Sequence, residues 1–358
     1  MIALERRLAA FSTLGKWLEQ YLEMAHDDGE LPAHQFAPLT EALYKGYSAN
    51  NWFTIDNQLM ALQGIRKLLE EEQLRQWAAA YNLDSANTAI TVAVVMAGNI
   101  PAVGFHDFLC VLMSGHRMLG KLSSDDQHLL PALAAMLCVI EPDFESNIKF
   151  TDGLIKNFDA VIATGSDNTA RYFEDYFGRY PHIIRRNRNS LGIIDGMESE
   201  QDLQLLASDI FSYFGMGCRS VSHLLLPANS DPENLFKGFE PYRHLRNHYK
   251  YFNNYEYHKA ISLINRTPHH DNGFVLMMPD NRLSSPVSVL HYSFYGNQQE
   301  IEDIVEVNRQ GVQCLVSRNA WFPGSQAFGQ AQFPRVGDYA DGIDTMQFLK
   351  DITPDRKK

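Results

Sequence analysis

Two apolar runs of strand length that break off at glycine constrain the fold of this chain more than any other feature. Residues 89–97, Ala-Ile-Thr-Val-Ala-Val-Val-Met-Ala, pass directly into Gly98-Asn99-Ile100-Pro101, and residues 159–164 pass into Gly165-Ser166. A continuous apolar run of this length reads as a strand covered on both faces, as the strands of a parallel sheet are. Helical segments lie between and after them: an apolar one over about 103–114, one over about 126–138, and one starting near Asn168. Residues 190–195 read as a third strand. Strands alternating with helices predict a doubly wound parallel sheet, a fold that binds ligands at the carboxyl ends of its strands. The half of the chain before Cys218 is therefore a candidate nucleotide-binding domain. Ahead of it, residues 1 to about 85 read as helices, with Leu4, Leu8, Phe11, Leu14 and Leu18 forming a packing stripe.

The segment 214–227, Phe-Gly-Met-Gly-Cys-Arg-Ser-Val-Ser-His-Leu-Leu-Leu-Pro, carries the leading candidate for chemistry. A helical stripe of Leu203, Leu206, Ile210 and Phe214 enters it, and an apolar, β-branched strand closed by Pro227 leaves it. Gly215 and Gly217 lack a Cβ, so the backbone there can turn sharply and approach a ligand. A cysteine on such a turn presents its sulfur and its own N–H to one space. Nucleophilic cysteine catalysis needs that pair: a thiolate to attack and a donor for the oxyanion that forms. Taken alone, the pattern equally suits a small thiol buried at a helix–strand junction. Beyond Cys218, residues 274–279, 286–292 and 312–316 read as strands and about 300–308 as a helix, a second α/β unit. A polar, aromatic stretch over 242–258 precedes them. The expected boundaries are 1–215 for the helices plus dinucleotide-binding domain and 216–327 for the domain carrying Cys218. A tail, 328–358, Gly- and Asp-rich and basic at its end, would return or serve oligomerisation.

The 358 residues carry a formal net charge of −12, which argues against a general binder of nucleic acid or anionic membrane. With 45% hydrophobic and 21% charged residues the composition is that of a globular protein with a large core. Cys110, Cys138, Cys218 and Cys314 are widely spaced without CxxC or a histidine ligand pattern, so they read as reduced thiols of a cytoplasmic protein, neither a disulfide framework nor a zinc site. No apolar run is long enough for a membrane span, and the charged N-terminus does not read as a signal peptide.

In order and spacing, these motifs resemble the aldehyde dehydrogenase superfamily over roughly residues 90–345, and more closely its acyl-CoA reductase branch, which includes the fatty-acid reductase of bacterial luminescence. Gly98-Asn99-Ile100-Pro101 is similar to the Asn-x-Pro loop whose asparagine amide donates to the oxyanion. Lys121-Leu122-Ser123-Ser124 lies where that family grips the adenosine ribose. Gly165-Ser166 with Ala170-Arg171 resembles the turn that lies against the cofactor pyrophosphate. Each motif also has an ordinary reading, as an Asn turn before proline, a surface lysine, and a helix N-cap by Ser166 or Asn168. The resemblance implies two doubly wound Rossmann-like α/β domains with a cysteine site in the cleft between them. It implies Cys218 and Asn99 as catalytic residues, and Lys121, Ser124, Gly165, Ser166 and Pro101 as cofactor-binding.

Departures from the family pattern sharpen the expectation. NAD-preferring members often carry a glutamate where Ser124 stands; a neutral serine removes the charge that would repel a 2′-phosphate, which favours NADPH over NADH. Hydrolytic members carry a glutamate that activates the deacylating water, and the alignment puts Arg185 there, with no carboxylate between Asp175 and Asp195. A thioester reductase has no use for that base, since its acyl-cysteine must outlast water. The second family glutamate, before a Phe-Gly-Pro turn, is replaced by Asn281 or Arg282 ahead of Ser284-Ser285-Pro286. The expected activity is therefore reduction of an acyl thioester, of coenzyme A or an acyl carrier, to an aldehyde through an acyl-cysteine. An acyl-transferring partner protein and a homo-oligomer are the expected associations. The proton donor is unassigned; His223 is nearest in sequence but lies on the strand. The alternatives are an aldehyde-oxidising dehydrogenase of the same fold, a non-redox acyltransferase, and a non-catalytic binding protein.

Overall fold

A computed structural model describes residues 2–27, 31–32, 34–83 and 89–352. The basic end of the expected tail, 353–358, lies outside the described residues. The chain divides into two units, Met1–Arg186 with Pro334–Lys358, and Asn187–Phe333.

The first unit opens with four helices, α1 (Leu4–Asp27), α2 (Ala37–Ala49), α3 (Ile55–Leu68) and α4 (Glu71–Tyr81). Leu8, Phe11, Leu14 and Leu18 recur at helical spacing along α1 and are buried in the unit's main core. A Rossmann-like half follows: β1 (Thr91–Val95), α5 (Phe105–Met113), β2 (Arg117–Lys121), α6 (Leu129–Ile140), β3 (Ile148–Thr151), β4 (Ala160–Thr164), α7 (Asp167–Phe177) and β5 (His182–Arg185). The strands pair in parallel in the order β3-β2-β1-β4-β5. Strand β1 is central, and its Val92, Ala93 and Val94 are completely buried, as the unbroken apolar run requires.

The second unit holds β6 (Asn189–Ile193), α8 (Glu200–Phe211), β7 (Val221–Pro227), α9 (Phe236–Phe239), α10 (Tyr249–Asn265), β8 (His270–Asp271), β9 (Leu276–Pro279), β10 (Val289–Tyr295), α11 (Gln298–Val307), β11 (Val312–Ser317) and β12 (Gln326–Ala327). Its sheet runs β12-β11-β6-β7-β10-β9-β8, parallel except for the β8–β9 pair. Helix α8 starts at a capping box in which Ser199 and Asp202 satisfy each other's backbone N–H groups. The aromatic 242–258 stretch is itself helical in large part, entering α10 at Tyr249. The chain then returns to the first unit and ends in α12 (Thr345–Asp351).

The division differs from the sequence boundaries in two places, each with a physical cause. Strand β6 and helix α8 go with the second unit because β6 pairs with β7 and β11 and with no strand of the first sheet. Residues 328–333 stay with the second unit, and 334–352 return to the first, one of the two roles expected of the tail. Trp77 Nε1 donates to the Tyr339 hydroxyl at 2.7 Å, Tyr339 to the Tyr81 hydroxyl at 2.8 Å, and Tyr81 to Asp344 at 2.9 Å.

A buried ion pair completes that attachment. Arg185, the last residue of β5, donates to Asp107 of α5 at 2.6 Å and to Thr345 of α12 at 2.7 Å, with both charged side chains over nine-tenths buried. Removing one partner leaves the other charge without compensation in a low dielectric, which costs roughly 3–5 kcal/mol. Asp107→Ala is therefore expected to lower the stability of the first unit by about that amount. Asp107→Leu combined with Arg185→Met is expected to recover most of the loss, as read from urea unfolding of the two variants beside wild type.

Candidate functional site

Helix α8 ends at Phe211 with Ser212 as its C-cap, and the next three residues all have left-handed backbone: Tyr213 at φ 53°, Phe214 at 57° and Gly215 at 78°. Only Gly215 takes this conformation without steric cost; a Cβ there would also press on the Ile210 carbonyl at 3.3 Å. Gly217 needs no positive φ, so the sharp turn expected of both glycines is made by Tyr213, Phe214 and Gly215 instead. Burial of the Tyr213 and Phe214 rings anchors the turn. The loop then reaches Cys218, half-buried, three residues before β7.

Hydrogen bonds tie this loop on both sides. The fully buried Ser190 of β6 donates to the Cys218 carbonyl at 2.9 Å, and its Oγ lies 3.0 Å from the Cys314 sulfur. Ser220 N–H donates to the Gly217 carbonyl at 3.0 Å, and Gly217 N–H to the Ser220 hydroxyl at 3.3 Å. Arg219 reaches the Ala331 carbonyl at 3.4 Å, and Gln332 the Ser220 hydroxyl at 3.5 Å. Burial pushes Cys110 well above the ordinary thiol range, raises Cys138, and takes Cys314 to about 11. Cys218 lies at the amino ends of β6 and β7, since Ser190 pairs with Val221.

In the first unit, the sequence-predicted cofactor residues do gather at carboxyl ends. Val95 of β1 is level with Lys121 of β2 and with Ala163 of β4. Lys121 ends β2, and the loops after these three strands carry Asn99 and Pro101, Ser124, and Gly165 and Ser166, so all of them lie side by side. Strand order reverses between β1 and β4, which is where such sheets bind nucleotides. Ser166 caps α7, accepting from Thr169 N–H at 3.3 Å, and a Cβ on Gly165 would meet Phe173 and Thr169 at 3.0 Å. The start of α7, with its first-turn N–H groups and dipole, suits a phosphate. Lys121 Nζ bonds the Gly153 carbonyl at 3.1 Å, while Ser124, Ser166 and Asn99 are exposed and Pro101 is buried. This donor set fits a dinucleotide. Among the described residues, no group of three His, Cys, Asp or Glu side chains could hold a metal ion, and no helix is long and apolar enough to cross a membrane.

The family profile described as acyl-CoA reductase (LuxC) matches residues 60–239, half of the chain. The chain belongs to the LuxC acyl-CoA reductase family. It is an oxidoreductase acting on the aldehyde group, and solved structures show its fold to be that of the aldehyde dehydrogenases. Aldehyde dehydrogenase 21 from Physcomitrella patens, in complex with the reaction product succinate, superposes with a TM-score of 0.66 at 12% identity, covering 98% of this chain and 84% of that one. The aldehyde dehydrogenase of Mycobacterium tuberculosis complexed with NAD+ gives 0.62 at 12% identity, with coverage of 98% and 84%. The P. syringae indole-3-acetaldehyde dehydrogenase AldA gives 0.64 at 12% identity, with coverage of 92% and 75%. No curated protein sequence matches the chain.

Other residues of this LuxC-family chain have more ordinary roles. His223 is buried in β7 with both ring nitrogens engaged, Nδ1 with the Arg282 carbonyl at 3.0 Å and Nε2 with the Ser293 hydroxyl at 2.9 Å. Burial lowers its affinity for a proton, so it is a sheet residue. Arg282 pairs with Asp280 at 2.6 Å. Sequence reasoning passed over two buried carboxylates beside the candidate loops. Asp209 of α8 accepts from Gly329 N–H at 2.7 Å and Ala331 N–H at 3.0 Å, and burial pushes its carboxyl up to about 7. Its signal was a charge adjoining the apolar stripe of Leu206 and Ile210. Asp126 read as the start of a helix, but α6 begins at Leu129; instead Asp126 accepts from Ala102 N–H at 2.7 Å. Ala102 is left-handed at φ 51°, three residues after Asn99, so Asp126 holds that loop in a conformation alanine disfavours.

Burial raises the Asp126 carboxyl to about 6 from an ordinary 3.8, against the Ala102 N–H that favours the ionised form. The folded protein therefore binds this proton more tightly than the unfolded chain. Its contribution to stability is present below pH 4 and is lost as pH climbs through 6. Asp126→Asn removes the titration. Relative to wild type, the variant is expected to gain stability between pH 4 and pH 7 by up to ~3 kcal/mol, as read from urea unfolding at both pH values.

Proposed function

We propose that the protein reduces an acyl thioester to an aldehyde with NADPH through a covalent intermediate on Cys218. The single observation that carries this reading is the placement of Cys218 in a family of acyl-CoA reductases. It is half-buried on a loop tied by Ser190 to β6. The Cys218 thiolate attacks the thioester carbonyl, and the Cys218 backbone N–H and the Asn99 amide donate to the oxyanion. The C–S bond to coenzyme A or to a carrier arm breaks, the thiol leaves with its electron pair, and an acyl-cysteine remains. When bound, the cofactor supplies a hydride to the acyl carbon. The resulting thiohemiacetal collapses, returning the electron pair to the Cys218 sulfur and releasing the aldehyde.

The first unit supports the cofactor assignment. Lys121 with the loop carrying Ser124, the turn at Gly165 and Ser166, and Pro101 flank one reversal of strand order. Ser124 is neutral and exposed, which leaves room for a 2′-phosphate without repulsion. The position aligned with the water-activating base carries Arg185, a buried cation paired with Asp107. That favours an acyl-cysteine protected from hydrolysis. The proposed setting is the cytoplasm, and an acyl-transferring protein and a second copy of the chain are the proposed partners.

Cofactor oxidation at 340 nm with a panel of acyl-CoAs tests the reading. Wild type is expected to oxidise NADPH in an acyl-CoA-dependent way, faster than NADH. Cys218→Ala is expected to abolish turnover, and Asn99→Ala to lower kcat by about 10²–10³-fold, the usual loss for one oxyanion donor. Acylation of Cys218 without cofactor oxidation would overturn the reductase in favour of a transferase. An enzyme that instead oxidises aldehydes and rapidly hydrolyses its acyl-cysteine would restore the dehydrogenase reading.

A further inference from the structure

We propose that Asp209 is a positioning residue for the nucleophile: by holding residues 329–332 as a strap across the Cys218 loop, it fixes the geometry in which the thiol reacts. The strap follows β12 and is the last stretch of the second unit before the chain leaves it at Phe333. It meets the loop region at three places. Asp209, on the helix that enters the loop, accepts from Gly329 N–H with one carboxyl oxygen and from Ala331 N–H with the other. Arg219, next to Cys218, donates to the Ala331 carbonyl, and Gln332 donates to Ser220. One peptide segment is thus gripped by α8 upstream of the nucleophile and grips the loop downstream of it.

The chemistry of the clamp suits this role better than simple packing does. Asp209 is completely buried, and burying a carboxylate costs free energy unless its oxygens are hydrogen-bonded. Both oxygens take main-chain donors, so the carboxylate fixes backbone at residues more than 100 positions away in sequence. Gly329 is left-handed at φ 80°, and a Cβ on it would meet Leu205 of α8 at 2.9 Å. The strap therefore lies against the helix at its Asp209 end with no space to spare. An apolar residue at 209 would pack there but would leave two buried N–H groups unpaired. Across the loop, Ser190 holds the Cys218 carbonyl from β6, so the nucleophile is restrained between a strand and the strap. Displacing a reacting atom by about 1 Å can cost 10²-fold in rate while binding is unchanged.

The kinetic arm of the test rests on the proposed reduction; the exchange arm does not. Asp209→Asn keeps the volume and one oxygen acceptor, Asp209→Ala keeps neither, and Gln332→Ala removes only the strap's contact with Ser220. Acyl-CoA-dependent kcat is expected to fall from wild type to Asn to Ala, by about ten- to a hundredfold overall, with KM within twofold. Gln332→Ala should show a smaller loss of the same kind. Hydrogen exchange by mass spectrometry, with no substrate present, should show faster exchange in 213–221 and 328–333 of Asp209→Asn while β7 and β10 stay protected. Should Asp209→Ala fail to fold, Asp209→Asn and Gln332→Ala still decide. A folded Asp209→Asn with wild-type kcat and unchanged exchange in 213–221 would overturn the proposal. Absence of turnover in wild type would instead sink the proposed reduction and leave the exchange measurement to judge Asp209.

Discussion

Two consecutive non-glycine residues in left-handed backbone, Tyr213 and Phe214, are the constraint around which the second unit is arranged. Each costs about 1–3 kcal/mol relative to ordinary backbone and persists only if the surroundings over-determine it. Here they do. Both rings are buried, and Phe214 stacks near His248 and Tyr251 with centroids at 4.4 and 5.9 Å. The aromatic 242–258 stretch supplies this anchorage. The turn it enforces stops α8 abruptly and brings Cys218 to the amino end of β7 instead of leaving it as one more helical residue.

The candidate loops lie at opposite ends of the parallel sheets in the two units, and each unit has a buried carboxylate that binds backbone. In the first, Asp126 takes the Ala102 N–H and fixes the loop after β1. In the second, Asp209 takes two N–H groups and fixes the 329–332 segment beside the Cys218 loop. Loops carry chemistry because they lie at the ends of rigid strands, but a loop alone does not hold an atom to within an ångström. A carboxylate offers two acceptors on a short, stiff stem, so it can fix main chain of any sequence. Desolvation is the corresponding cost, visible as carboxyls pushed up to about 6 and about 7.

Much of this was legible in the sequence where a single period or a glycine turn was decisive. Strands β1, β4, β6 and β7 announced themselves as apolar runs, and the helical stripe of α1 was plain. Strands β2, β3 and β5 did not, because Arg117-Met118-Leu119-Gly120-Lys121, Ile148-Lys149-Phe150-Thr151 and His182-Ile183-Ile184-Arg185 mix charge with short apolar stretches. They are strands because neighbours complete their ladders, a tertiary effect that local propensity cannot register. Cys218 and the loops at 98–101 and 165–166 were visible as motifs. Asp126, Asp209 and Ser190 were not, since a residue whose work is to bond distant backbone leaves no local pattern. The domain boundary at 186 was hidden for the same reason: only the pairing of β6 reveals which sheet it joins.

Arg185 is fixed into the fold by the groups around it. The guanidinium neutralises Asp107 in a site shared with Cys110 and Thr345, and it ties β5 to α5 and α12. A glutamate at this position would set two carboxylates together in a region that already disfavours charge, with no cation to compensate. Nor would a neutral residue be tolerated without loss, because Asp107 would then be buried alone. Position 185 therefore cannot acquire a carboxylate by single substitution, whatever the demands on the chemistry. Placing a carboxylate there would require rebuilding the contact between α5 and the C-terminal segment first, so the stability of the first unit itself keeps a carboxylate out of this position.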